Sequence, residues 1–168
     1  MNEIKRTTLC YIENDGCWLM LYRNRKPDDA NEGKWLGIGG KIEAGETPEE
    51  CNCREVMEET GLRLLSAHFH GVIRFRATTY EDEDMYLFSS RDFEPADPHA
   101  LRVFRESGTY EPPECSEGEL HWIPQDELMG LPMWQGDRAF LRQILEGRDR
   151  ISLTLQYEGE DCTIISED

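Results

Sequence analysis

"GGKIEAGETPEECNCREVMEETGL", residues 39–62, carries seven acidic side chains and only two basic ones. Thr47-Pro48-Glu49-Glu50 has the form of a helix start. A hydroxyl stands at the cap, proline at the first helical position, and a glutamate three residues on closes a capping box. Gly61 supplies the stop, since glycine accepts the left-handed cap conformation. The spacing predicts a helix over 48–60, with Cys53, Val56 and Thr60 on its inward face. On that helix Glu55, Glu58 and Glu59 stand at i, i+3 and i+4, a single stripe of carboxylates. Like charges so placed cost a helix roughly 0.2–0.5 kcal/mol per pair, so the stripe calls for a positive partner. Arg54 lies four residues before Glu58 and four after Glu50 and can pair with either. Just upstream, Gly39-Gly40 lets the backbone turn sharply and approach closely. Carboxylates facing such a turn are the oxygen set that a hard divalent cation such as Mg²⁺ takes. A merely solvated acidic face has no use for the glycine turn or for ordered Arg–Glu pairs.

Around this stretch the composition is that of an ordinary globular chain. Its 168 residues, 38% hydrophobic, fit one α+β domain over 1–168 and exclude disordered and collagen-like classes. With 18 Lys+Arg against 35 Asp+Glu the net charge is -17, which argues against nucleic-acid polymers and anionic membranes as partners. A small phosphate-bearing molecule remains compatible if metal and a few local basic groups offset the repulsion. No apolar run has the length of a bilayer span, and "MNEIKRTTLC" lacks a signal-peptide core. Six cysteines (10, 17, 51, 53, 115 and 162) read as reduced thiols, and the expected location is the cytoplasm.

Along the chain, Asn14-Asp15-Gly16 between two β-rich runs signals a hairpin. "RKPDDANEGK" reads as a polar loop ending at the short apolar piece "WLGIGG". "LRLLSAHFHGVIRFRA", "DMYLFSSRDF" and "GELHWIP" read as strands, and residues 94–116 as a long irregular loop. "DRAFLRQIL" has helical spacing, and "ISLTLQYEG" with "DCTIISE" reads as a closing hairpin.

Gly40, five residues, Glu46, seven residues, then Arg54-Glu55-Val56-Met57-Glu58-Glu59-Thr60-Gly61-Leu62 resembles the Nudix box at all nine of its specified positions. The resemblance extends from the first hairpin to the helix near the C-terminus. It implies the Nudix fold, a mixed β-sheet between helices in an α/β/α sandwich, and an enzyme that hydrolyses a nucleoside diphosphate linked to another group. It further implies Mg²⁺, with Mn²⁺ as a substitute, held by Glu58, Glu59 and the Gly39 carbonyl. Glu55 either ligates the metal or accepts the proton of the attacking water, while Arg54 and Glu46 orient the carboxylates. Glu117 resembles a late acidic residue that assists metal binding or water activation.

Within the family, "LYRNRKPDDANEGKWLGIGGKIEAGE" looks most like MutT-type 8-oxo-dGTP diphosphatases of nucleotide-pool sanitation and DNA repair, which release monophosphate and pyrophosphate. "LPMWQGD" is similar to mammalian members in which a Trp stacks on the oxidised base and an Asp bonds its edge. Trp134 is then a base platform or a core aromatic; Asp137 is a base contact or the N-cap of the last helix. Leu36 stands where those members have an Asn. Lys26, with Arg23 or Arg25, occupies the loop where basic groups of the family meet the triphosphate. The alternatives are a diphosphatase for nucleotide sugars or dinucleoside polyphosphates, the latter suggested by Tyr80, and a non-catalytic nucleotide sensor. The sequence leaves the oligomeric state open, with a monomer slightly favoured.

Overall fold

Strand β1 (Lys5–Asn14) is buried along most of its length, and its side chains alternate between two cores. Leu9 and Tyr11 enter one hydrophobic cluster, Cys10 and Ile12 the other. Strand β2 (Cys17–Arg23) repeats the pattern, with Trp18 and Met20 on the first side and Leu19 and Leu21 on the second. Period-2 side chains that are apolar on both faces mark strands covered on both sides. The turn between them holds Asp15 and Gly16 at φ 50° and 78°, the twin positive values that suit a two-residue hairpin. A computed structural model of the chain describes residues 4–26 and 28–167. The extreme N-terminus (1–3) and the turn former Pro27 lie outside the described residues.

The remaining strands are β3 (Trp35–Leu36), β4 (Ile38–Lys41), β5 (Leu62–Ala77), β6 (Glu83–Pro95), β7 (Gly118–Pro124), β8 (Leu153–Glu158) and β9 (Asp161–Glu167). They join β1 and β2 in a mixed sheet of order β3-β2-β1-β6-β5-β8-β9, with β4 paired to β1 and β7 to β2. The β1–β6 and β5–β8 pairs are parallel. β1 divides its partners: Thr7–Cys10 pair with β4, whereas Ile12–Asn14 pair with β2. The split opens a cleft at the glycine end of β4.

Helix α1 (Pro48–Thr60) begins at the predicted cap, with the Thr47 and Glu50 capping box closed and Gly61 left-handed at its end. It packs on β1, β4 and β5 and closes the core around Val56, Ile38 and Phe88. The expected inward face needs one correction. Cys53 is exposed, and Cys51 and Asn52 are buried in its place. The buried arc is rotated toward β4, running from Cys51 past Glu55 and Glu59 to Val56 and Thr60. That rotation turns Glu55 and Glu59 inward and leaves Glu58 exposed.

Residues 94–116 are not an irregular loop throughout. They contain helix α2 (Pro98–Ser107), capped by Asp97 and stopped by left-handed Gly108. Its Phe104 lies on Phe93, ring centroids 5.7 Å apart. On the opposite face of the sheet, the short α3 (Gln125–Leu128) and α4 (Gln135–Leu145) cover the other core through Leu128, Phe140, Leu141 and Ile144. All six cysteines are free thiols. No helix among the described residues is long and apolar enough to cross a membrane.

Candidate active site

A cleft of about 420 Å³ runs between the two halves of the sheet. At one end lie Gly39, Gly40, Arg23 and Glu117; at the other lie Asn31, Tyr80, Glu83, Trp134 and Asp137.

The acidic end is organised by Arg54. Its Nε and Nη2 donate to the two carboxylate oxygens of Glu46 at 2.7 and 3.0 Å, a bidentate pair. Nη1 donates to Glu55 at 2.9 Å and to Glu58 at 3.2 Å, and Nη2 also reaches the Lys41 carbonyl at 3.2 Å. The hydrogen bonds from Arg54, then the one from the Glu43 amide, hold the Glu46 carboxyl down at about 2. One guanidinium therefore fixes three carboxylates in one constellation. Gly40 completes the fit, because a Cβ there would meet the Glu55 carboxyl carbon at 2.4 Å. The glycine is required by how closely the carboxylate approaches the strand.

Glu59 is the deepest of the stripe. Its Oε2 is buried without a hydrogen-bond partner. Burial first, then the facing Glu117 and Glu55, push its carboxyl well above the usual carboxylate range. Burial likewise raises Glu55 despite Arg54 beside it. An orphaned buried carboxylate oxygen facing further carboxylates is an arrangement that a cation would satisfy, and the donor set is all oxygen. Among the described residues no three acidic, histidine or cysteine side chains close around one point. Glu55 and Glu58 are drawn to Arg54, and Glu59 faces Glu117.

The basic residues expected at the triphosphate lie at this end but are paired. Arg23 donates to Asp29 at 2.9 Å and to Glu117 at 3.3 Å, and Lys26 reaches the other Glu117 oxygen at 3.3 Å. Arg25 turns instead to the Cys115 carbonyl at 2.8 Å.

At the far end, the structure settles which residue caps the last helix. Trp134, not Asp137, occupies the N-cap of α4; Asp137 is the third helical residue and lines the cleft. Burial, with Glu83 nearby, raises the Asp137 carboxyl to about 7. The Trp134 indole also borders the cleft, and its Nε1 donates to Asn31 Oδ1 at 2.7 Å. Tyr157 and Tyr80 meet the indole edge-on, with centroids 5.5 and 6.0 Å away. Leu36 lines the same cleft. Asn31, Glu83 and Tyr157 carry no local sequence motif. They become neighbours only through strand pairing and loop closure.

Comparison with known proteins agrees with this geometry. The NUDIX domain family profile matches residues 3–144. A Danio rerio protein named oxidized purine nucleoside triphosphate hydrolase is 30% identical over 95% of this chain and 91% of its own length. Bacillus subtilis YvcI, named as an uncharacterized Nudix hydrolase, is 29% identical over the same shares. Among solved structures, a MutT protein from Bacillus halodurans superposes with a TM-score of 0.77 at 24% identity, covering 98% of this chain and 97% of that one. The matched profile, with the complete box folded around Arg54, shows that the chain belongs to the Nudix family and is a Nudix hydrolase.

Proposed function

We propose that the protein is a Mg²⁺-dependent diphosphatase of oxidised purine nucleoside triphosphates, 8-oxo-dGTP foremost, acting in the cytoplasm as one domain over 1–168. The observation that carries this reading is the cleft itself. It runs from Glu117 and the Gly39-Gly40 strand, against which the box carboxylate Glu55 packs, to an indole and a buried carboxyl at the other end. An aromatic ring beside a protonatable carboxyl suits a purine, which offers a π face and a polar edge. Near neutrality Asp137 can donate a hydrogen bond when protonated and only accept when ionised. The name borne by the Danio rerio relative points the same way.

Glu58, Glu59, Glu55, Glu117 and the Gly39 carbonyl are the groups that would hold the divalent cation. When bound, it neutralises charge developing on phosphate oxygens. The chain's own residues do the rest. Arg54 and Glu46 keep the carboxylates oriented. Glu55, fixed by Arg54 and close against Gly40, either joins that ligand set or accepts the proton of the attacking water. Arg23 and Lys26, released from Glu117, would meet the triphosphate. Attack at the β-phosphorus releases nucleoside monophosphate and pyrophosphate.

The test is a kcat/KM panel with Mg²⁺ over 8-oxo-dGTP, dGTP, 2-hydroxy-dATP, a nucleotide sugar and a dinucleoside polyphosphate. The reading requires an oxidised purine triphosphate to lead. A leading nucleotide sugar or dinucleoside polyphosphate would overturn the substrate, and a ligand-induced melting shift without hydrolysis would overturn the activity.

A further inference from the structure

Alternation along β1 and β6 brings Lys5 and Thr7 from one strand and Glu83 and Met85 from the other to the cleft. The parallel register sets Lys5 beside Glu83 and Thr7 beside Met85. Thr7 Oγ1 donates to Glu83 Oε2 at 2.6 Å. Among the described residues Glu83 Oε1 has no hydrogen-bond partner, and Lys5, although opposite in register, forms no ion pair with the carboxylate. Asp137 lines the same cleft. It is 6% exposed, and its carboxyl makes no hydrogen bond among the described residues. A polar group that is nine-tenths buried and unpartnered leaves its hydrogen bonds to whatever enters the cleft. Burial, and after it the nearby Glu83, raise that carboxyl to about 7.

We infer that Glu83 is a specificity-determining residue of the base site, accepting the paired N–H groups of a guanine-type purine edge. The inference rests on the purine triphosphate substrate proposed above. A carboxylate only accepts, and its two oxygens offer about four lone-pair positions. Thr7 fills one of them and fixes the group. Two N–H donors side by side are the pattern that a carboxylate takes from arginine in a two-pronged pair. A guanine edge presents the same pattern through its ring imino and exocyclic amino groups, with a carbonyl oxygen beside them. Asp137, when protonated, completes the match by donating to that oxygen. An adenine edge has one amino donor beside a ring acceptor, and hypoxanthine has the imino donor alone. Each leaves part of the Glu83 carboxylate facing no donor. A site built to bond an N–H rejects analogues that lack it.

The competing role for Glu83 is structural, an anchor for Thr7 that meets no substrate. Triphosphates that differ only in the 2-amino group separate the two roles: 8-oxo-dGTP with 8-oxo-dITP, and dGTP with dITP. Taking the kcat/KM ratio within each pair cancels effects at the phosphates. Wild type should favour the amino member by roughly tenfold or more, through KM rather than kcat. Glu83→Met, which keeps the length and loses the acceptor, should bring the ratio to within about threefold of unity at unchanged Tm. If Glu83→Met melts early, Glu83→Ala, likewise without an acceptor, carries the same expectation. Glu81→Gln, which removes another carboxylate lining the cleft, should leave the ratio as in wild type. Equal treatment of both members by wild type, or a preference that survives in the Glu83 variants, removes Glu83 from recognition and leaves the purine triphosphate substrate standing. An equal loss in Glu81→Gln reduces the effect to bulk charge and overturns the assignment too. No hydrolysis of any purine triphosphate sinks the substrate reading, and this inference with it.

Discussion

Lys34 Nζ stands 4.4 Å over the centre of the Trp134 ring and 2.5 Å from Glu160 Oε1. The ammonium covers one face of the indole, and Trp134 borders the cleft. The C-terminal hairpin, which carries Glu160 at its turn, thereby holds the platform proposed for the base. A cation over an aromatic face is worth about 0.5–2 kcal/mol. Lys34→Met keeps the apolar stem and removes the charge. It should raise KM for nucleoside triphosphates several-fold, with kcat and Tm little changed. Steady-state kinetics beside a melting curve decide it, and an unmoved KM would detach Lys34 from recognition.

Removing the platform itself should cost more. Trp134→Ala loses stacking worth ~1–3 kcal/mol, roughly five- to 150-fold in KM. The contact is made in ground and transition state alike, so kcat should hold. Inorganic triphosphate, which has no base, should be turned over as before. If all substrates suffer together and Tm falls, Trp134 is a core aromatic and nothing more.

Glu58 is the exposed member of the stripe, held among the described residues by Arg54 at 3.2 Å. Glu58→Gln relieves like-charge repulsion, so metal-free stability should hold or rise slightly. Turnover should fall by orders of magnitude, and wild type should lose activity on exhaustive EDTA treatment and regain it with Mg²⁺ or Mn²⁺. Near wild-type turnover in the variant at limiting Mg²⁺ would refute the metal assignment.

Gly40→Ala tests the close approach of Glu55. The new methyl would sit 2.4 Å from its carboxyl carbon. The clash is with the far end of a flexible side chain, so Glu55 can swing aside and the fold should survive. Catalysis should not. A variant with normal Tm and normal kcat would show that Glu55 does not need its present position.

What could be read from the sequence was what is local in it. The cap at Thr47, the stop at Gly61 and the Arg54–Glu58 spacing lie on one helix, so periodicity alone places them. Helix α2 had local signals too, Asp97-Pro98 and Gly108, yet its charged and proline-rich surroundings read as loop. The inward face of α1 was misjudged at Cys53 because periodicity gives the angles of a helix but not its rotation against the sheet. The far end of the cleft was out of reach for another reason. Glu83 reaches it through the parallel β1–β6 pair and Tyr157 through the parallel β5–β8 pair, crossovers that no short-range pattern encodes.

Asp137 yields a prediction in pH. It is fully buried at the third position of α4, and desolvation, with Glu83 nearby, lifts its carboxyl from 3.8 to about 7. The other groups it acts on are Tyr11, Tyr157 and Cys162, each raised first by its own burial. A folded-state pKa above the unfolded one means that the folded chain binds the extra proton between the two values. Stability must therefore fall as pH rises from about 4 to about 7, and stay lowered above that. Across the window the loss is on the order of 4 kcal/mol for this one group. Asp137→Asn, which cannot ionise, should flatten that slope. It should leave the protein more stable than wild type at pH 8, with little gain at pH 4.5. Chemical denaturation of both proteins across this range measures the difference directly. Parallel stability curves would mean that Asp137 is already ionised below pH 5 and that the cleft end is far more polar than its burial indicates.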